Sequence, residues 1–287
     1  GIMLNLIKPV QKVLVLFFNL KINSIFVMNI IILNVSLFIT NEEFIKSKIK
    51  LKKYNQEWKK YSARKYVGDC SYLFEKLKPV SYRDFYEKYV NDGQMNFGTI
   101  NTNDYHRGRT EIEIIDNAKY LYDTICKRYP DDDVNFVDCL NVTVGHTIHE
   151  TYDGHIVENV VDEMFSKKGL RTVKPCGDAD SLYGIDRFCY IDDTLQFMLQ
   201  IKPISFFKGN MNKSLIDDRI SAFKKGLKSQ EVFKVKTYYI IYDSSICNEN
   251  KVGFVCKPNG KMAFELSELC NFDGTVKDIP KERCFNN

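Results

Sequence analysis

Residues Gly184 to Phe207 read GIDRFCYIDDTLQFMLQIKPISFF, and the fold turns on how this stretch pairs with itself. Ile185, Phe188, Tyr190 and Ile191 make an apolar run, and Asp192-Asp193-Thr194 supplies turn chemistry. Leu195, Phe197, Leu199 and Ile201 then alternate with Gln196, Met198, Gln200 and Lys202. That period of two predicts a hairpin with two different faces. A turn centred near Asp193 sets Asp186 across from Gln200, so a carboxylate, an amide oxygen and an ammonium meet on one face. A slip of one residue would separate them. Such a face suits a hard cation such as Mg²⁺, which prefers oxygen donors. The lysine is placed to orient or deprotonate a water and to stabilise charge on a phosphate. The same residues would also make a buried hairpin whose charges merely stand at its edge.

The flanking segments supply a setting. Gly154 to Gly169 has helical spacing in Ile156, Val157, Val160, Val161, Met164 and Phe165, and Gly169 is placed to close it. Glu158 lies within this apolar surface, where an acid is costly unless paired or metal-linked. Asp162 is one turn further on. Leu170 to Val173 reads as a short strand. After the hairpin, Asn212 to Lys228 is a basic amphipathic helix carrying Lys213, Arg219, Lys224, Lys225 and Lys228. Residues 236–242, KTYYIIY, form a strand, Lys251 to Phe264 reads as a hairpin around Pro258-Asn259-Gly260, and residues 265–287 are an irregular tail.

The N-terminal half has a different character. Residues 1–45 are an apolar segment: Ile22 to Asn41 carries no charge, a length that permits a membrane span, but Asn23, Asn29, Asn34 and two serines speak against a membrane partner and leave a buried element or an over-long start ahead of Met28. Residues 46–66, KSKIKLKKYNQEWKKYSARKY, interleave Lys and Arg with Tyr54, Trp58, Tyr61 and Tyr66. Lys52, Lys53 and Arg64 belong to this run, which suits a phosphate backbone and bases and equally a solvated helix face over packed aromatics. Two short helices split at Pro79 are predicted over 67–92, with Ser81 as N-cap of the second. A polar loop follows to Arg109. Its Arg107 and Arg109 could read base edges or belong to an ordinary loop. Glu111 to Arg128 is helical, and Val134 to Val144 is a strand or buried segment. His146 and His149 could share a helical face, but the spacing lacks further zinc ligands, which favours packing or capping.

The chain has 287 residues, 44% hydrophobic and 27% charged, with a formal charge of +4. This fits one large domain or a core plus a smaller lobe, and permits nucleic-acid binding without requiring it. The nine cysteines include no CxxC pair, so the expectation is reduced thiols in a cytoplasmic protein rather than a disulfide framework.

Helix with Glu158, short strand, strand with Asp186, strand with Gln200-x-Lys202, helix, strand: this order over residues 149–243 resembles the core of the PD-(D/E)XK nuclease superfamily. Gln200 stands where the superfamily usually has an acid, as in some of its type II restriction endonucleases. More narrowly, Gly184-Ile185-Asp186 with Gln200-Ile201-Lys202-Pro203 and Ser205-Phe206 is similar to the MjaI-type restriction endonucleases. So are Tyr66-Val67-Gly68 and Tyr82-Arg83-Asp84-Phe85. The resemblance implies an α/β (α+β) fold, with a mixed central sheet flanked by helices and a mainly helical N-terminal region. Residues 46–145 would then recognise DNA, and residues 146–287 would form the catalytic core. It also implies Mg²⁺-dependent double-strand cleavage at a short palindrome, CTAG being a candidate, by a homodimer paired with a cognate methyltransferase. Asp186, Gln200 and the Ile201 carbonyl would hold the metal, Lys202 the attacking water, and Glu158, preferred over Glu163, would assist through a second metal or a water. Lys208 and Lys224 would join Lys52, Lys53, Arg64, Arg107 and Arg109 in gripping DNA. A structure-specific repair nuclease and a non-catalytic DNA-binding relative are the alternatives.

Overall fold

The structure, a computed structural model, describes residues 37–98, 104–175, 179–209, 213–243, 254–255 and 263–277. The apolar segment before Leu37 and the Pro258-Asn259-Gly260 turn lie outside the described residues. Among those described, no helix is long and apolar enough to cross a membrane. The chain divides into two compact units, with the boundary between Tyr152 and Asp153.

The first unit is helical. Its longer elements are α1 (Asn41–Lys50), α2 (Asn55–Tyr61), α3 (Arg64–Val67), α4 (Cys70–Leu77), α5 (Tyr82–Met95), α6 (Glu111–Arg128) and α7 (Phe136–Thr147). The local sequence fixes several of their starts. The Asp84 N–H donates to Ser81 Oγ at 3.1 Å, so Ser81 caps α5 as its position predicts. Thr40 and Thr110 open α1 and α6 with reciprocal capping boxes to Glu43 and Glu113. The segment 134–144 was open between strand and buried element. It is the helix α7, buried along almost its whole length. Its β-branched residues suit a core position, and neighbouring helices rather than strands surround it. Leu51, Tyr54 and Tyr61 pack against Leu121, Ile125 and Val142, so the aromatics of the basic run belong to the core.

The second unit holds a mixed sheet. α8 (His149–Ser166), whose first turn belongs to the first unit, is followed by β1 (Arg171–Val173), α9 (Ala179–Tyr183), β2 (Arg187–Ile191), β3 (Thr194–Pro203), α10 (Lys213–Phe233) and β4 (Thr237–Tyr242). The strands lie in the order β1-β2-β3-β4, with β3 and β4 parallel and the other pairs antiparallel. A parallel pair requires a crossover, and α10 provides it. Among the described residues β5 (Phe254–Val255) and β6 (Ala263–Phe264) both pair with β4. The expected irregular tail contains a short helix, α11 (Leu266–Leu269), and a bridge between Cys270 and Val276.

Helices cover both faces of the sheet. Val157 and Val161 of α8 pack on Cys189, Leu199, Ile201 and Ile240. Ala222 and Phe223 of α10 pack against Tyr239, Ile241 and Phe207 on the other face. β3 is thus central and buried on both sides from Met198 to Ile201. α8 ends as predicted: Gly169 adopts φ +76, and the Leu170 N–H donates to the Phe165 carbonyl.

Candidate functional site

The hairpin turn is tighter than its sequence suggests. Ile191 pairs with Thr194, leaving a two-residue turn of Asp192 and Asp193, with Asp192 at φ +50. Carried through unbroken, that register would set Asp186 opposite Leu199, on the wrong face. A β-bulge prevents this. Tyr190 pairs with Leu195 but Cys189 pairs with Phe197, so Gln196 is an extra residue and the register advances by one. Arg187 then faces Leu199, and Asp186 falls opposite Gln200.

The contacts follow from that register. Gln200 Nε2 donates to Asp186 Oδ2 at 2.6 Å, and the Ile201 backbone N–H donates to the same oxygen at 2.6 Å. The Asp186 N–H donates to the Leu199 carbonyl at 2.8 Å. Gln200 is 4% exposed. Gly184, at φ +63, leaves room for its amide, since a Cβ there would lie 2.8 Å from Gln200 Oε1. Lys202 lies two residues along the same face, half-buried and without an ion pair among the described residues.

Arg187, which sequence reading passed over, turns toward α8. Its Nε donates to Asp162 Oδ1 and Oδ2 at 2.9 and 3.1 Å, and its second terminal nitrogen donates to Glu158 Oε2 at 3.0 Å. The remaining terminal nitrogen donates to the Asp186 carbonyl at 2.7 Å. Burial disfavours the Arg187 charge, but the hydrogen bond to Asp162 and the charges of Glu158 and Asp162 outweigh it and raise its pKa. Glu158 also has Lys174 Nζ at 3.7 Å and His155 Nδ1 at 4.0 Å. The acid on the apolar helix face is therefore paired, as its cost demands, with an arginine. Glu163 is exposed. The signal for Arg187 was available, because a charge alternating inward next to Asp186 on a buried strand needs a partner, and Glu158 and Asp162 stand one turn apart on one helix.

The oxygen donors Asp186, Gln200 and Ile201 fit a hard divalent cation that keeps most of its shell as water or phosphate. In the observed rotamer Gln200 turns its nitrogen, not its oxygen, toward Asp186. Among the described residues no group of three or more His, Cys, Asp or Glu is arranged to hold a metal.

The basic residues divide. Lys52, Lys208 and Lys224 are exposed. Lys53 pairs with Asp132 at 2.8 Å, and Arg64 with Asp69 at 3.3 Å while its side chain stays 73% exposed. Arg107 is spent internally on Asp104 and Glu113, both at 2.6 Å. Arg109 is 3% exposed and donates to the carbonyls of Tyr66, Asp104, Arg107 and Gly108. A guanidinium so enclosed holds the loop together and presents no edge to a base. Arg219 departs from the expected basic helix face. It is fully buried and donates to the carbonyls of Phe206, Lys208, Gly209 and Gly274. It thereby fixes the segment that follows β3. His146 and His149 pack among aromatics: His146 stacks on Trp58 and His149 on Phe44.

No protein-family model, curated protein or solved structure matches the chain.

Proposed function

We propose that the chain is a Mg²⁺-dependent endonuclease that cuts both strands of DNA at a short palindromic site, with CTAG as the first candidate. The observation that carries this reading is the convergence on Asp186 Oδ2 of the Gln200 amide and the Ile201 N–H, with Lys202 next along the same face. The order α8-β1-β2-β3-α10-β4 supports it, being the order of the PD-(D/E)XK core. Cleavage by a homodimer in the cytoplasm, alongside a protecting methyltransferase, belongs to the same proposal.

Asp186, the Gln200 amide oxygen after rotation, and the Ile201 carbonyl would hold the cation. When bound, it would polarise the phosphate and make water more acidic. Lys202 holds the attacking water and offsets the negative charge that grows on the phosphate oxygens. The water oxygen bonds to phosphorus as the P–O3′ bond breaks; the water gives up its proton to solvent, and the O3′ leaving group takes one up from solvent water. The products are a 5′-phosphate and a 3′-hydroxyl. Glu158 acts through Arg187, which grips the Asp186 main chain, rather than through a second cation.

One observation favours a second reading, a DNA-binding relative without activity. Asp186 Oδ2 already accepts two hydrogen bonds within the chain, so the site is satisfied as it stands. Digestion of unmethylated phage DNA with Mg²⁺ decides between them. Discrete fragments support site-specific cutting. Random nicking supports a repair-type nuclease. Intact DNA that is still retarded in a gel supports the binding relative.

A further inference from the structure

The first unit contains a cavity of about 460 Å³ lined by residues of α2, α3, α4 and α7, of the segments joining α2 to α4, and of the first turn of α8. On its wall, His146 stacks face to face on Trp58, with ring centroids 4.2 Å apart and planes inclined by 21°. His146 is 9% exposed. Its Nε2 and the Trp58 Nε1 are both buried and without a hydrogen-bond partner. Buried polar atoms are nearly always satisfied, so two adjacent exceptions on one cavity wall call for an explanation.

Their polarity can be assigned. His146 Nδ1 pairs with the Glu150 carboxylate one turn on, and Glu150 also pairs with Lys48. In the neutral imidazole an ionised Glu150 keeps the ring proton on Nδ1, which leaves Nε2 as an acceptor. Trp58 Nε1 can only donate. One donor and one acceptor thus lie on the two stacked rings that line the cavity. A flat heterocycle with a ring acceptor next to an N–H is its complement, and the base-pairing edges of nucleobases have this arrangement. Lys59 and Arg64 also line it, Arg64 paired with the lining Asp69 at 3.3 Å yet 73% exposed at its side chain, with the hydroxyls of Ser62 and Ser71 nearby. Cations and hydroxyls suit a phosphate. The volume lies within the usual range for small-ligand pockets.

We infer that this cavity binds a single nucleotide, with the base edge on Trp58 and His146 and the phosphate on Lys59 and Arg64. The inference does not depend on hydrolysis at Asp186, and its test needs no metal. The nucleotide has two sources, a free monomer or a residue swung out of a DNA strand. Neither ring nitrogen is open to solvent, so occupancy requires a small side-chain rotation at the wall. Trp58 is the only tryptophan of the chain, so its emission reports that movement directly.

The experiment titrates the full chain, without divalent metal, with each deoxynucleoside monophosphate, with the matching nucleosides, with inorganic phosphate, and with a duplex carrying one unpaired base. A saturable change in Trp58 emission with a monophosphate identifies a free-nucleotide site. A change with the duplex alone identifies a swung-out residue. Arg64→Gln should weaken nucleotide binding about threefold to fivefold and leave nucleoside binding unchanged. His146→Gln should weaken both about tenfold. An equal response to inorganic phosphate alone would overturn the inference in favour of an anion site. No response to any base-bearing probe would overturn it outright, as would an Arg64→Gln protein that binds nucleotide like wild type.

Discussion

Replacing Arg187 with alanine should destabilise the second unit by about 2–3 kcal/mol. The side chain is 5% exposed and joins Asp162, Glu158 and the Asp186 carbonyl. Removing one member of a buried ion pair costs about 3–5 kcal/mol, because the other member is left uncompensated. Here the two acids keep 23% and 33% of their side-chain surface exposed. Water therefore takes over part of the lost pairing, which brings the expected cost down to about 2–3 kcal/mol. That corresponds to a fall in Tm of about 6–10 °C. Arg187→Lys keeps the charge but not the fork and should lose about half as much. The assay is urea unfolding followed by far-ultraviolet circular dichroism. Trp58 emission, which reports the first unit, serves as an internal reference. On an Asp162→Asn/Glu158→Gln background, Arg187→Ala should cost clearly less, which isolates the pairing from loss of packing. A loss under about 1 kcal/mol for Arg187→Ala in the otherwise native chain would refute the reasoning.

Three further outcomes are expected. Gly145→Ala should cost about 3 kcal/mol or prevent folding, since its Cβ would lie 1.9 Å from the Phe44 ring where α1 crosses α7; a thermal melt within 2 °C of wild type, on the order of the unit's scatter, would contradict the packing. Gly184→Ala should cost about 1–2 kcal/mol, because φ +63 is strained for alanine and the Cβ would crowd Gln200 Oε1; the same variant should change Mg²⁺ affinity measured by calorimetry. Glu150 should make stability pH-dependent. Burial pushes its pKa up, but His146 and Lys48 more than offset this and hold it at about 2. A depressed folded-state pKa contributes stability above the unfolded value of about 4.5, and that stability is lost as pH falls toward 2. The side chain is 42% exposed, so solvent screening makes the effect smaller than the shift alone implies. Glu150→Gln should flatten the profile of urea midpoints over this range.

Much of this was legible in the chain. Period-two alternation gave β3, Ser81 gave the start of α5, and Gly169 gave the end of α8, because each is a local preference expressed over a few residues. The opposition of Asp186 and Gln200 was also readable, but for an incomplete reason: it depends on the extra residue Gln196, and a bulge leaves no mark in an alternating pattern of this length. The segment 134–144 was ambiguous because β-branched residues suit a strand and a buried helix alike. Arg109 was placed on a loop that reads base edges or is ordinary, and Arg219 on a basic helix face. Composition cannot tell an arginine that grips a ligand from one that ties carbonyls of its own loop. The pairing of Glu158 and Asp162 with Arg187 needed three-dimensional proximity across 25 to 29 residues of sequence.

The measurement that bears most directly on the account is single-turnover cleavage of unmethylated plasmid with Mg²⁺ by wild type, Asp186→Asn and Lys202→Ala. All three should first be shown to be folded by circular dichroism. Wild type should give linear DNA, none with a chelator, and each variant a rate at least about 100-fold lower. Wild-type rates from folded Lys202→Ala, or inert wild-type protein on every substrate tried, would contradict it.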